Sequence, residues 1–377
     1  MLDLVIAGGR VLDPGSGIDR IADVGFADGK VAAIGDGLAS GSTRQVVDAA
    51  GRIVVPGLID LHTHVYWGGT SLGIDADAIA VESATTTFVD AGSAGAGNFI
   101  GFRRHVIERS SVRILAYLNI SFAGIFAFSK NVMIGECIDI RLCDPREAVA
   151  MAREHLDVVV GLKVRVGRIA GGTSGAAPLD IAIEAADRLR LPVMAHIDHP
   201  PPSRREVVER LRPKDVLTHC YRPFPNAPND GERNVAAEIT AARARGVIFD
   251  IGHGMGSLGF ETASAMIGHG FLPDVISSDV HSLSIEGPAY DNLVTVSKFI
   301  CLGVPLPAAI GMATAAPARA LGRDDLGSLR VGAVGDAAVL ELMEGRFTYV
   351  DAMGETMVGK HRLKSHGIAV GGHWRPA

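Results

Sequence analysis

The sequence predicts an α/β fold: a (β/α)8 TIM barrel carrying a small discontinuous β-sandwich domain built from both termini. Three observations predict it. Apolar, strand-like runs alternate with amphipathic helical stretches through the middle of the chain, and that alternation calls for a parallel sheet. The two ends instead show short alternating runs broken by Gly, Pro and Asp. The central region, roughly 270 residues, has the usual size of an eightfold βα barrel.

At the N-terminus, "LVIAGGRVLDP", "ADVGFADGKVAAIGD" and "RQVVDAAGRIVVPG" read as hairpins of a small β unit. At the other end, "VGAVGDAAVLELM" and "RFTYVDAMGE" have the same texture. Chain ends often lie close together, so residues 1–53 and 325–377 are expected to form one domain around a barrel of residues 54–324. Eight candidate barrel strands follow in order: "IVVPGLIDLHTH", "TTTFVDAGS", "VRILAYLNIS", "VVVGLKVRV", "PVMAHID", "VLTHCY", "VIFDIGHG" and "VISSDVHS". Helices fall between them. "DPREAVAMAREHL" and "LDIAIEAADRLR" repeat apolar residues at intervals of three and four.

Bulk properties narrow the function classes. The chain has 377 residues, 47% of them apolar, and a formal net charge of -6 without a basic run. Nucleic acid and anionic membranes are therefore not expected partners. No apolar stretch reaches the roughly 18 residues that span a bilayer. "MLDLVIAGGRVLDPG" has neither a basic n-region nor a long apolar h-region, so no signal peptide is expected. Cys137, Cys143, Cys220 and Cys301 are scattered without metal-type or disulfide-type spacing. A reduced, cytoplasmic protein is the simplest expectation, acting on a small-molecule substrate as a homo-oligomer.

The first barrel strand ends on His62 and His64. Residues two apart on a strand share a face, so the pair projects together at the C-terminal end, where barrel active sites lie. An isolated H-x-H pair is more readily read as two capping or exposed histidines. The other strands change that balance. Lys163 lies in the fourth, His196 ends the fifth, His219 the sixth and Asp279 the eighth. A lysine in an apolar strand is costly unless it is neutralised or paired, or snorkels to the rim. Imidazoles and carboxylates suit zinc and similar divalent ions.

Taken together, "GLIDLHTH", Lys163, His196, His219 and Asp279 resemble the amidohydrolase superfamily of metal-dependent hydrolases, and do so over essentially the whole chain. "SSDVHSLSIEGPAYDNLVTVSKFI" and "LTHCYRPFPN" resemble its amidohydrolase/deacetylase branch, which is dihydroorotase-like. The resemblance implies two divalent metal ions, zinc foremost. His62 and His64 would hold the more buried ion and His196 and His219 the more exposed one. Lys163, carboxylated by carbon dioxide, would bridge both. Asp279 would ligate the buried ion and serve as general base and acid when a metal-bridging hydroxide attacks an amide or ester. A bridging cysteine after the second strand, as in D-aminoacylase-like sites, is replaced here by Ala91 and Gly92.

Several residues leave two readings open. Arg165, two beyond Lys163, either binds a substrate carboxylate or forms a salt bridge at the barrel mouth. His253 either touches substrate or caps a helix. His281 either orients Asp279 or lines the rim. Tyr221 and Arg222 are weaker substrate candidates. His199 is expected in an exposed loop and Cys220 in the packing. "GSAGAGN" is expected to be a barrel loop, and "NAPNDGERN" either a flap or a surface loop. The functions implied are a deacetylase-like hydrolase of a small carboxylate-bearing substrate, a cyclic-amide hydrolase of dihydroorotase or hydantoinase type, or a non-catalytic scaffold.

Overall fold

Residues 1–377 are described by the computed structural model, and they divide between two main sheets. The first is built from the chain ends. Strands β1 (Leu2–Asp13), β2 (Ile18–Ala27), β3 (Lys30–Gly35), β4 (Thr43–Asp48) and β5 (Ile53–Pro56) come from the N-terminal side. The second sheet starts immediately afterwards with β6 (Leu58–Thr63), β7 (Thr85–Gly95) and β8 (Arg113–Asn119). A two-stranded ribbon, β9 (Ala127–Phe128) and β10 (Met133–Ile134), interrupts the series. The barrel sheet resumes with β11 (Val159–Val166), β12 (Val193–Ile197), β13 (Val216–Leu217) and β14 (Ile248–Phe249). The chain then returns to the first sheet with β15 (Ala337–Val350), β16 (Thr356–Val370) and β17 (His373–Pro376).

Strands β6, β7, β8, β11, β12, β13 and β14 form a parallel seven-stranded sheet in chain order. Their buried faces read as near-continuous apolar runs, as expected when helices cover one side and the barrel interior the other. The eighth position has no regular strand. Residues 275–280 close the ring through single parallel bridges, Asp250 to Val275 and Thr63 to Val280. Backbone bonds complete the seam: His64 N to Val280 O at 3.0 Å and Asp279 N to His62 O at 2.7 Å. The Asp60 carboxylate accepts from the Ser278 N–H across the same seam. Its burial pushes that carboxyl up to about 8.

The end sheet runs in the order β17-β16-β15-β5-β1-β2-β3, with β4 pairing β1. Eight strands from both termini are thus joined by hydrogen bonds into one small β domain, packed on its own cluster of Leu4, Ile6, Val24, Phe26, Val339 and Ala369. The segment expected as a single strand up to His64 is split. Ile53–Pro56 pairs with β1 and β15, and only Leu58–Thr63 enters the barrel.

The two helices quoted from the sequence form as Pro145–Glu154 and Ala177–Leu189. Asp144 caps the first by accepting from the Arg146 and Glu147 amides, with Pro145 at the first turn. The stretch "GSAGAGN" begins as strand, since β7 extends to Gly95. Residues 226–234 are irregular, with a single bridge between Asn229 and Val235.

Candidate metal centre

His62, His64, Lys163, Arg165, His196, His219, Asp279 and His281 line one enclosed cavity, together with Leu72, Ile125 and Phe128. The free space at its heart is only about 30 Å³. The side chains arrive from β6, β11, β12, the turn after β13 and the 275–280 segment, all at the C-terminal mouth of the barrel.

The histidines are set up to present Nε2 inward. Thr218 Oγ1 donates to the Asp250 carboxylate at 2.7 Å, so its lone pairs face His62 Nδ1, also at 2.7 Å. That arrangement makes Nδ1 the protonated atom and leaves the His62 Nε2 lone pair free. His219 Nδ1 likewise donates to the Gly252 carbonyl at 2.7 Å. His64 Nδ1 lies 2.9 Å from Ser93 Oγ. The His62 and His64 Nε2 atoms each stand 3.3 Å from Asp279 Oδ1. Ligand atoms of these three residues all fall within 4.8 Å of one another. Rings of His62 and His219 are 5.0 Å apart and those of His196 and His219 4.4 Å.

Electrostatics favour neutral donors. Burial, aided by the Lys163 charge, drives His62 and His219 well below the ordinary histidine value. His196 falls likewise through burial and its His219 neighbour. Burial also holds Lys163 down to about 7 and lifts Asp279 to about 6. Lys163 Nζ lies 3.4 Å from His62 Nε2. The His196 Nε2 atom is buried with no partner in the protein. A sealed imidazole nitrogen without a protein partner is suited to ligate a cation. The donor set therefore fits divalent metal.

The backbone is strained where the site is made. His219 has φ +62° and Asp279 φ +48°, the left-handed region that costs a non-glycine residue of order 1 kcal/mol. Two glycines give the room. Gly92 has φ +82°, and a Cβ there would stand 2.6 Å from the Lys163 side chain. Gly254 has φ +52°, and its Cβ would stand 2.1 Å from Asp279 Oδ2. Gly254→Ala is accordingly expected to push the carboxylate off the histidine pair. Loss of kcat by about 100-fold, with metal content measured on the same protein, is the outcome that checks it.

Arg165 reaches the cavity but is already engaged. Its Nη1 is 3.1 Å from Glu136 Oε2, and its guanidinium lies over the Phe128 ring at 5.2 Å. The salt-bridge reading of Arg165 is the one the geometry favours. His281 lines the cavity, accepts from the Leu283 N–H through Nδ1, and packs against His64 and Phe128. Two expected substrate contacts are corrected. Tyr221 is buried and its hydroxyl donates to the Phe271 carbonyl, away from the cavity. His253 is buried with Nε2 2.7 Å from Lys298 Nζ, which also donates to the Pro288 and Val350 carbonyls. His199 is exposed and Cys220 buried in the core, as expected.

Sequence reasoning missed Glu136, Phe128, Thr218 and Asp250. The two latter lie inside quoted strands, Thr218 one residue before His219 and Asp250 three before His253, and a buried polar residue close before a strand-end histidine is a usable signal. Glu136 and Phe128 belong to the long β8–β11 connection, which has no periodicity to read. The β9–β10 ribbon within it covers the cavity, with the Phe128 carbonyl accepting from Ser71 Oγ at 3.0 Å.

A parallel barrel with a histidine-carboxylate cluster at its C-terminal mouth defines a hydrolytic enzyme. The chain belongs to the amidohydrolase family, whose model matches residues 53–364. It is 35% identical over 328 residues to a deacetylase of Agrobacterium fabrum, covering 87% of this chain and 80% of that protein. Two solved structures superpose over the full length. One is described as an adenine deaminase, with TM-score 0.93 and 28% identity over 100% of both chains. The other is described as a dihydroorotase, with TM-score 0.91 and 32% identity over 100% of this chain and 99% of that one. Enzymes of this family act on small molecules. No helix is long and apolar enough to cross a membrane.

Proposed function

We propose that the chain is a binuclear metal-dependent deacylase, releasing an acetyl-type group from an amide or ester of a small carboxylate-bearing molecule. One observation carries this reading: His62, His64, Lys163, His196, His219 and Asp279 all line a single buried cavity. The relative described as a deacetylase supports the acyl chemistry. In this reading His62, His64 and Asp279 would hold one ion, zinc foremost, and His196 and His219 would hold the other. Bound divalent ions make water acidic and polarise an acyl carbonyl.

The residues of the chain do the remaining work. Lys163, held toward its neutral amine by burial, would add to carbon dioxide; a nitrogen–carbon bond would form, one proton would be released, and the anionic carbamate would supply oxygen donors for metal. Asp279, lifted by burial, takes a proton from the attacking water and returns it to the leaving nitrogen or oxygen. Thr218 and Asp250 keep His62 in the tautomer that offers Nε2. Phe128, Ile125 and Leu72 keep bulk water away from the reacting carbonyl. The enzyme is proposed to work in the cytoplasm as a homo-oligomer. Its four unpaired cysteines, including Cys137 and Cys143 with sulfurs 3.8 Å apart, support a reducing compartment.

A second reading, hydrolysis of a cyclic amide, is favoured by the likeness to the structure described as a dihydroorotase. The metal-loaded protein should release acetate from N-acetyl or O-acetyl acids and leave dihydropyrimidine and hydantoin rings closed. Ring opening without acetate release would replace the first reading by the second. Neither activity, with no divalent ion bound, would return the scaffold alternative.

A further inference from the structure

We infer that His281 is a fixed hydrogen-bond donor for the carboxylate of the substrate, and that this carboxylate belongs to the leaving fragment and not to the acyl group; the inference rests on the deacylase reading. His281 lines the same cavity as His62, Lys163 and Asp279. Its ring is set the opposite way to those of the proposed ligands. His62 and His219 donate through Nδ1 and turn an Nε2 lone pair inward. His281 Nδ1 instead accepts from the Leu283 N–H at 3.1 Å. A ring nitrogen that accepts carries no proton, so this imidazole is neutral and its hydrogen is on Nε2. The Nε2–H has no partner in the protein: Asp279 pairs with His62 and His64, and not with His281. Nor is the atom sealed, as His196 Nε2 is; the ring is 2% exposed and the exposed part includes Nε2. A donor that can neither ligate a cation nor find a protein acceptor is matched to an acceptor on the incoming molecule.

The ring is held firmly. The His281 N–H donates to Ser284 Oγ at 3.1 Å, and its carbonyl accepts from the Ser284 and Ile285 amides at 2.9 and 3.0 Å. The ring stands edge-on to His64 and Phe128, with centroids 6.1 and 5.7 Å away. Successive centroid spacings of 6.1, 5.5, 5.0 and 4.4 Å string the rings in the order His281, His64, His62, His219, His196. His281 is therefore at the end of the series remote from His196 and next to His64, whose Nε2 is 3.3 Å from Asp279 Oδ1. In the proposed reaction Asp279 protonates the leaving nitrogen or oxygen. The leaving atom then lies at this end, and the group attached to it is carried toward His281. A neutral N–H orients a carboxylate there by a charge-assisted bond without placing a further positive charge beside the metal site. The ligand class is an N-acyl amino acid or O-acyl hydroxy acid. Half-amides of dicarboxylic acids, which carry the carboxylate on the acyl side, do not match.

The test uses two variants that divide the functions of the ring. His281→Asn keeps an acceptor near the Nδ1 position and gives up the donor; His281→Gln keeps a donor near Nε2 and gives up the acceptor. Each is compared with wild type, metal-loaded, on N-acetyl amino acids, their primary carboxamides and N-succinyl amines, with thermal midpoint and metal content recorded. Wild type should prefer the N-acetyl acids to both other sets, a result that needs no variant. His281→Asn should lose on the order of 10- to 100-fold in kcat/KM on the acids, mostly through KM, and much less on the carboxamides, whose neutral oxygen is the weaker acceptor. His281→Gln should retain more of the activity on acids. Titration calorimetry with lactate, which has no acyl group to cleave, should show binding weakened by a similar factor in His281→Asn and less in His281→Gln. Equal losses on acids and carboxamides, a larger loss in His281→Gln than in His281→Asn, faster cleavage of the N-succinyl amines, or lactate binding that is absent from wild type or unaltered in His281→Asn would each overturn the inference. If wild type cleaves no acyl compound, the deacylase reading falls, and the calorimetry alone decides for or against His281.

Discussion

Asp279→Asn should fold, keep most of its metal and lose turnover by 10³-fold or more, beyond the middle of the usual range of about 10²–10⁴ for a general acid–base group. The substitution preserves the size of the side chain at a left-handed position, φ +48°, where Asn is among the few residues that sit comfortably. One amide oxygen can still face the His62 and His64 Nε2 atoms, now 3.3 Å from Oδ1. The negative charge and the proton-accepting oxygen are gone. Metal analysis and kcat on an acetylated acid, measured on the same preparation, separate the two effects. Activity close to that of the parent would remove Asp279 from proton transfer and leave it as a ligand only.

Lys163→Ala should lose metal as well as activity. The lysine is fully buried at the centre of the cavity, with its amine 3.4 Å from a histidine ligand atom. Removing it leaves a gap bordered by Gly92, where no side chain can fill in. In the proposed arrangement that gap is the length of a short carboxylate plus its chain. Formate, acetate or propionate at millimolar concentration should therefore restore part of both metal occupancy and turnover, read by metal analysis and by acetate-independent product detection. A variant indistinguishable from the parent in both would eliminate the bridging role. Loss of metal that no small carboxylate or bicarbonate restores would point to a lysine that merely supports the cavity wall.

Much of this site could be read from spacing because strands have a strict period. His62 and His64 bracket Thr63 at the end of β6, so their shared face follows from pleat geometry alone. Lys163 and Arg165 alternate with buried valines within β11, and both do reach the cavity. The period fails where the backbone turns left-handed. After His219 the chain leaves strand geometry, which sends Tyr221 toward Phe271 and not toward the ligands. His253 is flanked by Gly252 and Gly254, at φ +47° and +52°, and its ring is turned to Lys298. The eighth strand was located by its composition, yet it is only a pair of bridges, because Asp279 is itself out of extended geometry. The split at Pro56 and Gly57 was invisible for a different reason. Both halves of the run are apolar and buried, so nothing in the pattern marks the passage from one sheet to the other.

The order of strands in the end sheet has a consequence for synthesis. β5 lies between β1, made at the start, and β15, made after the whole barrel. While the ribosome is still adding residues before Ala337, one flank of β5 stays open to any passing polypeptide. The barrel, whose strands pair with successive neighbours, is free to fold during that interval. The terminal sheet is then the last part to be sealed, and a nascent chain stalled before β15 would carry a sticky border.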